Sequence, residues 1–106
     1  MEQIVLSKNL IEQLNSITDA LHDVKYFGTY ELAENYVNKI YSFIATIPKL
    51  STRKCKTSVY GDFFARYDVL KSSTQYFITY NVVNNKYYIE YIFNSKTIEY
   101  LAIKGI

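Results

Sequence analysis

Residues 60–93, "YGDFFARYDVLKSSTQYFITYNVVNNKYYIEYIF", are crowded with tyrosine, phenylalanine, valine and isoleucine. Side chains of these kinds lose rotamer freedom in a helix and pack well on a pleated surface, so the stretch can hardly be anything but sheet. Two interruptions divide it into three strands. "VNNK" is a two-residue hairpin connection, because asparagine tolerates the positive φ of a type I′ turn. With Asn84 and Asn85 as that turn, Val82 faces Tyr87, Tyr80 faces Ile89, Ile78 faces Tyr91 and Tyr76 faces Phe93. Those pairs make one wholly apolar face. The other face pairs Asn81 with Tyr88, Thr79 with Glu90, and Phe77 with Ile92, and is mixed. Around "KSST", matching apolar faces sets Val69 against Tyr76, Tyr67 against Ile78 and Ala65 against Tyr80. Arg66, Thr79 and Glu90 then form a row across the mixed face, with Asp68 two residues along from Arg66. Arg66 is expected to pair there with Glu90 or Asp68, in a surface ion pair worth about 0–1 kcal/mol.

The earlier half reads as helix. "EQIVLS" is a short, β-branched candidate for a first strand. From Ser7 onward, Leu10, Ile11, Leu14, Ile17 and Leu21 recur every three or four residues, the stripe of a helix with Ser7 as N-cap. Gly28 in "KYFG" breaks it. A second helix starts near Thr29 or Tyr30, carries Ala33, Tyr36, Val37, Ile40, Phe43, Ile44 and Ile47 on one stripe, and stops at Pro48. Two helices joined so closely form a hairpin, and its apolar side covers the apolar face of the sheet. The expected fold is therefore α+β and two-layered: an N-terminal strand and helical hairpin on an antiparallel sheet, in the order β-α-α-β-β-β. A chain of 106 residues suits a single domain over 1–106.

No apolar run approaches the roughly 20 residues that span a membrane. The start, "MEQIVLSKNL", is acidic and then polar, unlike a signal peptide. The single cysteine, Cys55, excludes an internal disulfide and fits a reducing cytoplasm. A cytoplasmic protein without membrane partners is expected.

The net charge of +2 is too small to argue for nucleic acid by itself. Locally, "KLSTRKCK" places Lys49, Arg53, Lys54 and Lys56 together without an acid, either as a solvated loop or as a contact for an anion. With one histidine, His22, and one cysteine, an ordinary zinc site is excluded. A cysteine–histidine nucleophile pair is disfavoured, since Cys55 falls in a loop and His22 on a distant helix. No glycine-rich phosphate loop occurs, and the carboxylates are scattered singly, against a metal-dependent nuclease or a glycosidase pair. No metal or cofactor is expected. What remains is a set of cations and phenols: Arg66, Lys54, Lys56, Lys96 and Tyr100. RNA can be cut without metal when its 2′-hydroxyl attacks the adjacent phosphate, given a base, an acid and cations for the added charge. No evident base stands among these residues, and Glu90 would serve only if free of Arg66.

The helix "ELAENYVNKIYSFIATIP", the strand "QYFITYNV" and the segment "YYIEYIFNSK" follow one another in an order that resembles the RelE/ParE family of bacterial toxins. The likeness covers nearly the whole chain, and Tyr76, Ile78 and Tyr80 match the family's middle strand. It implies the toxin half of a type II toxin–antitoxin pair, silenced by a small antitoxin wrapped round it. RelE-like members cleave mRNA on the ribosome with clustered basic residues and a late tyrosine, whereas ParE-like members poison DNA gyrase. By position the resemblance assigns a catalytic role to Arg66 and Tyr100; Lys96 lies where a further catalytic cation would be useful, and Arg53, Lys54 and Lys56 of the basic stretch are the expected RNA contacts. The pattern departs at Phe77 and Phe64, where cations are expected, and at Asn94-Ser95, where several nucleases have histidine. A nuclease, a gyrase poison and a non-catalytic binding module are thus all open. Phe64, Phe77, Tyr88 and Ile92, set among polar groups on the mixed face, are the expected antitoxin surface. The alternative is that "TIEYLAIKGI" folds back over part of them.

Overall fold

A computed structural model describes residues 2–23, 30–69 and 74–96. In chain order these form β1 (Gln3–Leu6), α1 (Lys8–Asp23), α2 (Tyr30–Ile44), a 3-10 turn (Ile47–Lys49), β2 (Arg53–Lys54), β3 (Phe63–Asp68), β4 (Gln75–Val83) and β5 (Lys86–Asn94). The expected breaker, Gly28, and the segment from residue 97 onward lie outside the described residues.

The strands make one sheet in the order β1-β5-β4-β3-β2. The class is α+β as expected, but the sheet is mixed rather than antiparallel. The first strand joins the last, and β1 runs parallel to β5 from Gln3↔Lys86 to Leu6↔Ile89. A further strand, β2, lies where the basic loop was expected, with Arg53 opposite Phe64 and Lys54 opposite Phe63.

Both helices bury most of the stripes read from their spacing, but Ile11, 39% exposed, is a correction: it lies outside the buried side of α1. Leu10 and Leu14 of α1, with Ala33, Val37, Ile40 and Ile44 of α2, are buried, and Ile47 follows in the turn that holds Pro48. They pack on Ala65, Tyr76, Ile78, Tyr80, Ile89 and Ile92 of the sheet. Ser7 caps α1: its Oγ accepts the Leu10 N–H at 3.0 Å while its hydroxyl donates to the Glu90 carbonyl at 2.7 Å. Among the described residues, no helix is long and apolar enough to cross a membrane.

The hairpin turn forms as expected, with φ of 50° at Asn84 and 64° at Asn85. Val82↔Tyr87 and Tyr80↔Ile89 are also as expected, but the next pair is Thr79↔Tyr91. Glu90 is the extra residue of a β-bulge. Beyond it Ile78 meets Ile92, Phe77 meets Phe93, and Tyr76 meets Asn94. Side chains alternate along a strand, so the extra residue reverses the facing of everything after it. Ile92 therefore joins the core under the helices, and Tyr91 and Phe93 move to the far face. The start of α1 holds the bulge, since Ser7 N–H donates to the Ile89 carbonyl and Ser7 Oγ to that of Glu90.

Between β3 and β4 the pairing is Tyr67↔Tyr76, Ala65↔Ile78 and Phe63↔Tyr80, two residues from the expected register. A shift of two leaves every side chain on its expected face. It does replace the row Arg66–Thr79–Glu90, because Arg66 lies opposite Phe77, and Phe77 opposite Phe93.

The far face is more apolar than expected. Phe64, Phe77, Phe93 and Cys55 form a second buried cluster, with Tyr60 and Tyr91 packed against it. Residues 55–62 bring Cys55 and Tyr60 onto it, the Tyr60 ring meeting Phe93 at 4.9 Å and Tyr91 at 5.6 Å, edge to face in both cases. Two bonds pin this segment: Thr79 Oγ1 donates to the Tyr60 carbonyl at 2.9 Å, and Asp62 N–H to Asn81 Oδ1 at 2.8 Å. Between them Gly61, at φ 152°, passes so near β4 that a Cβ would stand 3.1 Å from Tyr80 N. Only glycine combines that backbone angle with that approach.

Candidate functional site

β2 is two residues long and covers only Phe63 and Phe64 of β3. Along 65–68 the outer edge of β3 has no strand beside it among the described residues. Alternation fixes which backbone groups this edge presents. Val69 N–H donates inward to the Thr74 carbonyl at 3.1 Å, while the Asp62 carbonyl accepts from Cys55 N–H, on the β2 side, at 2.9 Å. Counting by twos, Ala65 and Tyr67 point their N–H and C=O toward β4, and Arg66 and Asp68 point theirs outward.

Beside this edge runs a groove of about 340 Å³, with Phe43 and Leu50 on the helix side and Arg53, Arg66 and Asp68 on the other. The chain has two arginines, and the groove collects both. Arg53 lies opposite Phe64, and Arg66 is two residues further along the same face of β3. Diagonal neighbours of that kind have their backbones about 7–8 Å apart, within easy reach for two guanidinium groups. Arg66 Nε stands 3.2 Å from Asp68 Oδ1, with side chains 44% and 53% exposed. Of the two partners considered for Arg66, Asp68 is the one it meets. At that exposure the pair contributes about 0–1 kcal/mol.

Of the other expected site residues, Lys54, Lys56 and Lys96 do not converge on the groove. Lys54 faces away from Arg53, as its strand neighbour must, and Lys56 follows the buried Cys55 on the exposed side of its loop. Lys96 is exposed just past β5, its N–H donating to Asn94 Oδ1 at 2.8 Å. It lies at the same end of the sheet as Asp68 but two strands over, about 10 Å at the backbone. Tyr100 lies outside the described residues.

The expectation of an exposed aromatic partner surface needs correcting for three residues. Phe64, Phe77 and Ile92 are only 5%, 2% and 4% exposed. The first two are sealed in the far-face cluster, and the bulge has turned Ile92 under the helices. Tyr88 is half-buried opposite Asn81.

Two groups that could have been reactive are muted. Burial, reinforced by the Asp62 carboxylate, pushes the Cys55 thiol up to about 11, so it is protonated and a poor nucleophile at neutral pH. Tyr80 is fully buried on the helix side, and among the described residues its hydroxyl has no hydrogen-bond partner. Burial also raises its pKa, with Tyr87 and Cys55 adding to the effect. Among the described residues no group of three or more His, Cys, Asp or Glu side chains could hold a metal ion.

The groove can therefore receive an anion between two guanidinium groups, beside an edge that no strand covers among the described residues. Its one lining carboxylate, Asp68, already faces Arg66, so among the described residues no free base lines it. The pairing of Arg53 with Arg66 escaped the sequence reading because it depends on β2. No protein-family model, curated protein or solved structure matches the chain.

Proposed function

We propose that the chain is a toxin of the RelE/ParE kind, acting on an anionic cellular target through the groove that holds Arg53 and Arg66. The observation that carries the reading is this convergence of both arginines on one exposed edge of the sheet. Further support comes from the element order, a strand and a helical hairpin laid on a sheet whose last three strands run antiparallel. The RelE-like form of the reading is ribosome-dependent mRNA cleavage, with Arg66 and Arg53 offsetting phosphate charge. In that form a cognate antitoxin would neutralise the chain.

A second reading, favoured by the lack of a free base in the groove, keeps the contact and drops the chemistry. The chain then acts as a ParE-like poison of DNA gyrase or as a binding module without catalysis. Inducible expression in a bacterial host, with growth followed and mRNA ends mapped, separates the cases. The toxin reading expects growth arrest that Arg66→Ala relieves, and stability changed by less than about 1 kcal/mol. Arrest with new mRNA ends identifies the nuclease, while filamentation with intact mRNA identifies the gyrase poison. Harmless expression removes the toxin reading and leaves the binding module.

A further inference from the structure

The open edge of β3 carries one charge of each sign, Arg66 and Asp68, spaced by two residues on one face. These are also the two residues whose backbone N–H and C=O point outward. We infer that this edge pairs with the same edge of a second copy of the chain, antiparallel and about a two-fold axis at Tyr67.

The register follows from the charges. In a two-fold antiparallel pair centred on Tyr67, Arg66 of each copy faces Asp68 of the other. Both are outward-pointing residues, so each such pair exchanges both of its backbone hydrogen bonds. Moving two residues either way keeps the backbone in phase but opposes Arg66 to Arg66, or Asp68 to Asp68. Like charges directly opposite are destabilising, so the edge is complementary to itself in one register. Many edge strands resist association by carrying charges of one sign; this one does not.

The surroundings fit the same occupant. Asp68 of the second copy comes to rest beside Arg66 and next along the sheet from Arg53, between the two guanidinium groups of the groove. On the helix side, Tyr67 meets its own counterpart at a position where facing side chains lie closest. That ring already rests on Phe43 at 5.0 Å, which limits the freedom lost on pairing. The pairing with β2 ends at Phe64 of β3 and leaves room for a short strand and no more. The contact is accordingly small, and the dimer depends on concentration. This inference does not rest on the toxin reading, since it concerns self-association, although a second copy so seated fills the groove assigned above to a target.

The test is sedimentation velocity on the full chain over a wide concentration range, with circular dichroism confirming the fold of each variant. The wild type is expected to pass from monomer to dimer as concentration rises. Asp68→Arg sets Arg66 against arginine and should raise the dimer dissociation constant at least about tenfold. The double exchange Arg66→Asp with Asp68→Arg restores complementarity and should recover the dimer. A wild type that stays monomeric throughout overturns the inference. So does a folded Asp68→Arg variant that dimerises as the wild type does, or a double exchange that stays monomeric. Binding of a glutamate-rich extended peptide to a wild type that never dimerises would give the edge to another occupant and also overturn it.

Discussion

Among the described residues, the sheet has two stretches that no neighbouring strand covers, and the chain treats them differently. On one side β1 reaches only Ile89 of β5, leaving residues 91–94 without a strand beside them. There α1 supplies a substitute. Gln13 Nε2 donates to the Ile92 carbonyl at 3.0 Å, and Ile92 N–H donates to Gln13 Oε1 at 2.8 Å. One side-chain amide thus makes the pair of bonds that an adjacent strand would make. Nearby, Ser7 takes the Glu90 carbonyl and Asn9 donates to the Tyr91 hydroxyl at 3.1 Å. On the other side the pairing with β2 stops at Phe64, and among the described residues Arg66 and Asp68 face outward without such a device. The contrast shows that this fold has a means of closing an edge and, among the described residues, uses it on the side under α1.

That contrast can be broken most forcefully at Gln13. Gln13→Leu leaves the Ile92 N–H and C=O without partners, and should cost about 2–3 kcal/mol in chemical denaturation. Gln13→Glu keeps the acceptor but sets an oxygen against the Ile92 carbonyl, so it should fall between leucine and wild type. A leucine variant as stable as wild type would mean the amide closes nothing. Ser7→Ala removes both the cap of α1 and one of the two bonds that hold the bulge, for a loss of about 1–2 kcal/mol by the same measurement.

On the open side the effect is smaller and depends on pH. Cys55 continues β2 by donating its N–H to Asp62, and its thiol is pushed up to about 11 in the folded chain. An acid whose pKa is raised by folding contributes its full stability below the unfolded value, ordinarily near 8.5. That contribution should fade as pH rises from there toward 11. Cys55→Ser should flatten this fall in melting temperature, and thiol-modifying reagents should react slowly with the folded wild type at pH 8.

Much of the fold was legible because particular residues permit few alternatives. Asn84 and Asn85 admit the turn, Ser7 the cap, and the spacing of Leu10, Leu14, Val37, Ile40 and Ile44 the two helices. Where the reading failed, the chemistry was degenerate. Tyr91, Ile92 and Phe93 are all apolar, so either facing satisfies the alternation and the bulge at Glu90 leaves no trace in the pattern. A two-residue slip between β3 and β4 likewise preserves both faces, and was enough to misplace the partners of Arg66. The two residues of β2 are too few to show a period of two. The candidate site was therefore legible as a list of cations, but not as the pair, Arg53 with Arg66, that the strand brings together.

The bulge has a consequence for how this chain could change length. Excising Glu90 would close the ladder and keep every later partner, with Ile92 still opposite Ile78 and Phe93 opposite Phe77. Excising a residue further along β5 would instead slide the rest of the strand past β4 and turn Ile92 or Phe93 toward the wrong layer. A single codon in that hairpin is thus expendable to the sheet's wiring, and what it secures is the handshake with Ser7 at the start of the first helix.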